Sequence, residues 1–325
     1  MAEVALNKLI VHFAQSNKVE GKSPRTIDWY TQMLEGFNKF LEASNYGGML
    51  GGFDIQTVRE FIAHEQDRGM SPYTVQGKVR TLKAFSSWLF REGYMSENLL
   101  DGFKLPKVPV NLVEPLANDE VDRLLCFHNP LTTIGCRDTA ILILMLDTGI
   151  RLSELCGLRM GDTHIDECYL KVLGKGNKER LLPLGSSSQK ILWRYVIHFR
   201  PEPINKNTDY FFLTLDGKYL QPNAVKLLIK RWGKKAGVPR LHSHLCRHTF
   251  ATNYLIHNCG DVFRLQQILG HSSLEMVRRY VHFASSHALI TGKVLSPVDQ
   301  RGLNKLKGYK TDQALKKIAD RKAEK

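Results

Sequence analysis

The sequence predicts a mainly α-helical protein of two domains with a small antiparallel β-sheet. Three observations predict it. Apolar residues recur at spacings of three and four over most of the 325 positions. A stretch with three prolines, KLPKVPVNLVEPL (104–116), breaks that period. Two short β-type runs, YLKVL (169–173) and RLLPL (180–184), flank the turn-forming string GKGNKE, which reads as a β-hairpin.

The elements follow in order. Ser23-Pro24 and Ser71-Pro72 each read as an N-cap followed by proline at the first helical position. After the first come Ile27, Tyr30, Leu34, Phe37 and Leu41. After the second come Val75, Val79, Leu82, Phe85 and Leu89, closed by Gly93. Val58, Phe61 and Ile62 predict a third helix between them. The second of these stripes shares its helix with Lys78, Arg80, Lys83 and Arg91, with no acid before Glu92. That run is either a solvated face or a surface for a DNA backbone. Proline lacks an N–H and biases its predecessor to extended geometry, so 104–116 reads as a linker. Beyond it, Asn118 is expected to cap a helix bearing Val121, Leu124 and Leu125, and the very apolar TAILILMLDTG ends at Gly149. Further helices are predicted over 187–199, 222–235, about 248–257, 261–269 and 273–282. The helix at 222–235 carries Lys226, Lys230 and Lys234 at i, i+4 and i+8, a basic stripe apart from Leu228 and Trp232. The segment 299–325 holds nine basic and four acidic residues and is expected to be solvated or docked on a partner.

Charge points to the class of partner. The chain has 46 Lys+Arg against 32 Asp+Glu, a net of +14. Residues 1–113 contribute +1 of this and residues 114–325 contribute +13. Such an excess suits a polyanion, most often nucleic acid. Mean hydropathy is −0.26 and no apolar run approaches 18 residues, so no membrane span is expected. The N-terminus lacks the features of a secretory signal. Six cysteines form no CxxC pair, which suits a reducing cytosolic compartment.

Four segments carry residues able to do chemistry: TGIRLSEL (148–155), LGKGNKERLLPL (173–184), HSHLCRHTFAT (242–252) and LGHSSLEMVRRYVH (269–282). Each alone has a bland reading: an arginine paired with Glu154, a solvated basic hairpin, a helical face, a half-buried tyrosine. His244 and His248 have zinc-like i, i+4 spacing, with Cys246 and Cys259 near. Against a metal, Arg247 lies inside that group, and no carboxylate occurs between Asp216 and Asp261. Together the segments offer Arg151 and Arg247, histidines, a lysine on a turn and a tyrosine. An arginine pair fits the two non-bridging oxygens of a phosphate. Lysine or histidine can protonate a leaving oxygen, and a tyrosine hydroxyl can attack as a nucleophile.

The ordered set Arg151, Lys175, His244-x-x-Arg247, His271 and Tyr280 resembles the tyrosine recombinase (phage integrase) family, most nearly its Xer-type members. The resemblance covers roughly residues 5–283. One packing position departs from the family's usual His-x-Leu-Arg, reading His244-Leu245-Cys246-Arg247.

The resemblance implies a helical core-binding (SAM-like) domain over 1–105, a linker over 106–116, a catalytic domain over 117–290 and a basic tail over 291–325, the two domains clamping duplex DNA. It implies that Tyr280 attacks a phosphodiester to give a 3′-phosphotyrosine, with Arg151 and Arg247 clamping the scissile phosphate. Lys175 would protonate the departing 5′-oxygen, while His244 and His271 bond the phosphate. Glu154 would hold an arginine in place. Arg278 and Arg279 would bind nearby phosphates or pair with an acid. No metal and no other cofactor is implied. The implied assembly is a homotetramer, or a mixed tetramer with a second recombinase, on two double-stranded DNA sites. A segment of 284–325 would dock on the neighbouring protomer, in a cytoplasmic, nucleoid-associated enzyme. The implied process is integration, transposition or dimer resolution. The early Ser23 helix leaves little room for an N-terminal arm-binding domain, which favours a simple Xer-like or transposon-type enzyme. Three competing readings are a type IB topoisomerase with the same chemistry, a non-catalytic DNA-binding protein and a metal-dependent nuclease.

Overall fold

The computed structural model describes residues 4–109, 113–174, 178–205, 207–257, 261–270, 273–274, 277–278 and 280–281. The chain divides into two compact units, residues 1–111 and 112–325.

The first unit is helical: α1 (Leu6–Val19), α2 (Pro24–Ala43), α3 (Ile55–Asp67) and α4 (Pro72–Arg91), with α2 packed on each of the other three. Ser23 and Ser71 cap α2 and α4, each hydroxyl accepting the backbone N–H three residues on at 3.2 Å, with proline in the first turn. Asp54 caps α3 through the Thr57 N–H at 2.8 Å, and the Thr57 hydroxyl accepts the Asp54 N–H in return. The expected apolar stripes meet in one core of Leu9, Phe37, Leu41, Phe61, Phe85 and Leu89. Phe37 stands edge-on to Phe53 and Phe61 at 5.7 and 5.2 Å between centroids, a favoured aromatic geometry. The helix α1 has no side-chain cap, since Ala5 occupies the N-cap. That removes the punctuation by which the other three announce themselves.

The second unit contains α5 (Asn118–Cys126), α6 (Thr133–Thr148), α7 (Leu152–Gly157), β1 (Thr163–His164), β2 (Tyr169–Leu173), β3 (Glu179–Pro183), α8 (Ser186–Arg194), α9 (Pro222–Lys235), α10 (Ser243–His257) and α11 (Val262–Leu269). The strands form one antiparallel sheet in the order β1-β2-β3, with Leu170 opposite Leu182 and Val172 opposite Arg180. At the centre lies α6, with Cys136, Ala140, Ile141, Leu142, Leu144 and Met145 all buried, and α8 and α10 pack on it. A helix apolar all round is stable only when it is enclosed in this way.

Four local expectations change. Asn118 is the first residue of α5 and not its cap; Glu120 reaches back to accept the Ala117 N–H at 2.9 Å. The helix expected from about residue 248 starts at Ser243, because the His242 ring Nδ1 accepts the Leu245 N–H at 3.2 Å, an uncommon cap. The helix expected over 187–199 is α-helical to Arg194 and then makes one π turn over Tyr195–Phe199. The short β1 was not expected. Of the helix expected over 273–282, residues 275, 276, 279 and 282 lie outside the described residues, and 277, 278, 280 and 281 are helical.

Candidate active site

The site begins at a forced bend. Gly149 ends α6 with φ at 61°, in the left-handed region, and a Cβ there would lie 2.5 Å from Phe250 Cδ1. Only glycine meets both demands. The bend carries the chain through buried Ile150 into Arg151, the N-cap of α7. Glu154, three residues on, accepts the Arg151 backbone N–H at 2.9 Å and the Arg151 Nη1 at 2.8 Å.

Glu154 holds a second arginine as well. Arg180, on β3, forks onto it, with Nη1 to Oε1 at 2.8 Å and Nη2 to Oε2 at 2.7 Å. The Glu154 side chain is 3% exposed. Burial pushes its carboxyl up, but the bonds and charge of Arg180, then of Arg151, outweigh burial and leave it below the usual carboxylate range. It stays ionised at neutral pH.

The C-terminus of α11 completes the arrangement. A helix leaves its last carbonyls without intrahelical partners and carries partial negative charge there. Three consecutive carbonyls at this end each receive one guanidinium. Ile268 O accepts Arg180 Nε at 2.8 Å, Leu269 O accepts Arg247 Nη2, and Gly270 O accepts Arg151 Nη2 at 2.9 Å. Arg247, on α10, also donates from Nη1 to Gly149 O at 2.6 Å. One carboxylate and one helix end thus offset the mutual repulsion of three arginines.

Arg247 is 5% exposed. Burial, then the charge of Arg151, pushes its pKa down to about 10, with Glu154 and Tyr280 pulling the other way. It remains cationic at neutral pH. His244 reaches solvent at the edge of the cluster. Partial desolvation, then the charges of Arg247, Arg151 and Lys226, hold its imidazole below the usual histidine range, so the neutral form dominates at pH 7. Tyr280 is 8% exposed, packed with Ala251, Leu265, Leu269 and Val277, and its ring lies 5.2 Å from that of His248. Arg151, His244, Arg247 and Tyr280 are therefore brought together from positions up to 129 residues apart. Lys175, His271 and Arg279 lie outside the described residues. Among the described residues, no three His, Cys, Asp or Glu side chains converge as metal ligands do.

The basic residues picked out beyond this cluster have distinct settings. Lys78 pairs with buried Glu65 at 2.5 Å, and its ammonium lies over the Phe61 ring. Lys83 donates to Phe103 O at 2.8 Å, whereas Arg80 is exposed. Lys226, Lys230 and Lys234 are exposed on α9. Lys226 and Lys230 line a groove of about 720 Å³ together with Leu227, Pro239, Leu241 and His244. A neighbouring groove of about 600 Å³ continues the basic lining through Arg231 and Lys234.

Sequence reasoning gave Arg180 no role. The signal lay in the hairpin: Arg180 and Leu182 share the inward side of β3, and an inward arginine needs a buried carboxylate.

Residues 114–287 match the phage integrase family. Curated relatives cover more of the chain. Tyrosine recombinase XerD of Listeria innocua is 31% identical over 282 residues, 85% of this chain and 94% of that protein. Tyrosine recombinase XerC of Oceanobacillus iheyensis is 32% identical over 269 residues, 82% of this chain and 88% of that protein. The fold matches a crystal structure of XerH site-specific recombinase bound to palindromic difH substrate, with TM-score 0.68 and 21% identity, covering 86% of this chain and 82% of that one. It also matches a lambda integrase (75–356) dimer bound to a COC′ core site, with TM-score 0.68 and 18% identity, covering 84% of this chain and 97% of that one. The chain belongs to the phage integrase family, the tyrosine-type site-specific recombinases.

Proposed function

We propose that this protein cuts and rejoins double-stranded DNA at specific sites through a 3′-phosphotyrosine on Tyr280. The observation that carries the reading is the gathering of Arg151, Arg247, His244 and Tyr280 at the end of α11. In the reaction, the Tyr280 oxygen attacks the scissile phosphorus and the 5′-oxygen leaves. Arg151 and Arg247 stabilise the extra negative charge of the pentacoordinate transition state. His244, neutral at pH 7, accepts the phenolic proton or bonds a non-bridging oxygen. Lys175 donates a proton to the departing 5′-oxygen, and His271 bonds the phosphate. The covalent link conserves the bond for transfer to a second strand, so no metal or nucleotide cofactor enters.

The basic groove along α9 supplies a path for the DNA backbone, with Lys226, Lys230 and Lys234 as phosphate contacts. Arg80, with Lys78 and Lys83 once released from their protein partners, adds contacts from the core-binding domain, residues 1–105. Four chains act on two sites, and the process is integration, transposition or dimer resolution in the nucleoid.

The test is to incubate the protein with sheared genomic DNA, denature, isolate protein-linked fragments and sequence them. The expected result is a covalent adduct at a recurring sequence, with four chains per pair of site-bearing duplexes in the native complex. The Tyr280→Phe variant is expected to bind these duplexes near normally and form no adduct, since only the attacking oxygen is lost. Adduct from that variant would assign the nucleophile elsewhere.

A further inference from the structure

Arg180 stands outside the phosphate-facing set, and its guanidinium is committed within the protein. All three of its nitrogens donate inward, two to Glu154 and one to Ile268 O, and its side chain is 11% exposed. Its partners are the joints of the site. Glu154 holds Arg151 by both its backbone and its side chain. Ile268 O is the first of the three successive carbonyls, and the next two hold Arg247 and Arg151. A Cβ at Gly270 would lie 3.0 Å from Arg180 Cδ, and one at Gly174 would lie 3.2 Å from Arg180 Nη1. The end of α11, the start of α7 and the end of β2 therefore all close on one side chain.

We propose that Arg180 is a positioning residue for DNA cleavage, fixing Glu154 and the α11 terminus in one frame so that Arg151 and Arg247 meet the phosphate at a set spacing. This rests on the reading that those two arginines grip the scissile phosphate. Two guanidinium groups held by separate elements stabilise one transition state only when their separation is fixed, and a displacement near 1 Å can slow a reaction about 100-fold. A planar fork with a third, sideways donor does this work; an ammonium at the same place retains the charge but not the three directions.

The experiment uses the full chain and a nicked duplex bearing the sequence recovered by adduct trapping. It measures the single-turnover cleavage rate at saturating protein, the Kd for that duplex and the thermal unfolding midpoint, for wild type, Arg180→Lys and Arg180→Met. The expected result is a saturated rate about 100-fold lower in both variants, with Kd changed by less than about twofold. A merely structural role would lower the unfolding midpoint and the active fraction but leave the saturated rate of folded protein intact. If Arg180→Met unfolds below the assay temperature, Arg180→Lys decides the question. A saturated rate equal to wild type, or a defect confined to Kd, overturns the positioning role alone. Absence of any adduct from the wild-type protein overturns the parent reading, and this inference with it.

Discussion

Arg247 illustrates how little of a side chain's meaning is local. Its two outer nitrogens bridge Gly149 O and Leu269 O, the ends of α6 and α11. Arg247→Lys keeps a positive charge yet cannot span both carbonyls and also present a fork to a phosphate. Cleavage by this variant is expected to fall at least about 100-fold, close to 2.7 kcal/mol of transition-state stabilisation. A near-wild-type adduct rate on the trapped duplex would remove Arg247 from the phosphate grip. The residue types and their order were legible in the strings HxxRHTFAT and TGIRLSEL. The partners were not: the sequence offered Arg151 alone for Glu154, whereas the folded carboxylate is shared with Arg180, 26 positions away. A long-range pair leaves no periodic trace, so only the inward position of Arg180 on its strand hinted at it.

Elements announced themselves where their punctuation was conventional. The Ser-Pro starts of α2 and α4 and the glycine after α6 were all readable, because each satisfies a known backbone need. The N-caps His242 and Ala117, the latter with Glu120 reaching back from within the helix, were not readable, since neither His nor Ala is a usual N-cap. The bend at Gly149 is open to test. Gly149→Ala forces a side chain into the left-handed region and against Phe250, and is expected to destabilise the protein by about 2 kcal/mol. Urea unfolding measures this, and a loss under about 0.5 kcal/mol would show the bend to be adaptable. On α9, Lys230→Gln is expected to weaken DNA binding evenly across sequences and to lower the slope of log K against log salt by about 1. An unchanged slope would take Lys230 off the DNA path.

For the molecule as a whole, charge and titration set the working conditions. Burial holds His128 and His242 below the usual histidine range, and His244 is held there too. An unfolded chain takes up protons at these positions near pH 6.5, before the folded protein does. Their contribution to stability is therefore fully present above that pH and declines as the pH falls below it. The lowered carboxylates Glu120 and Glu154 work in the same direction, but only below about pH 4.5. The unfolding midpoint is expected to be lower at about pH 5.5 than at about pH 7.5. A flat or inverted profile would refute the histidine account. The excess of positive charge, concentrated after residue 113, adds self-repulsion in the same acid range and suits a polyanionic partner.

By itself the sequence determined the helical class, the hairpin and the family, and its charge pointed to a polyanion as partner. These rest on composition, short-range periodicity and ordered motifs, all of which survive in one dimension. The tertiary structure alone decided that three arginines share one helix end, that Glu154 serves two of them, and that His244 lines the same groove as the α9 lysines. Those are contacts between segments far apart in the chain, selected by mutual packing and charge balance, and no local pattern encodes them.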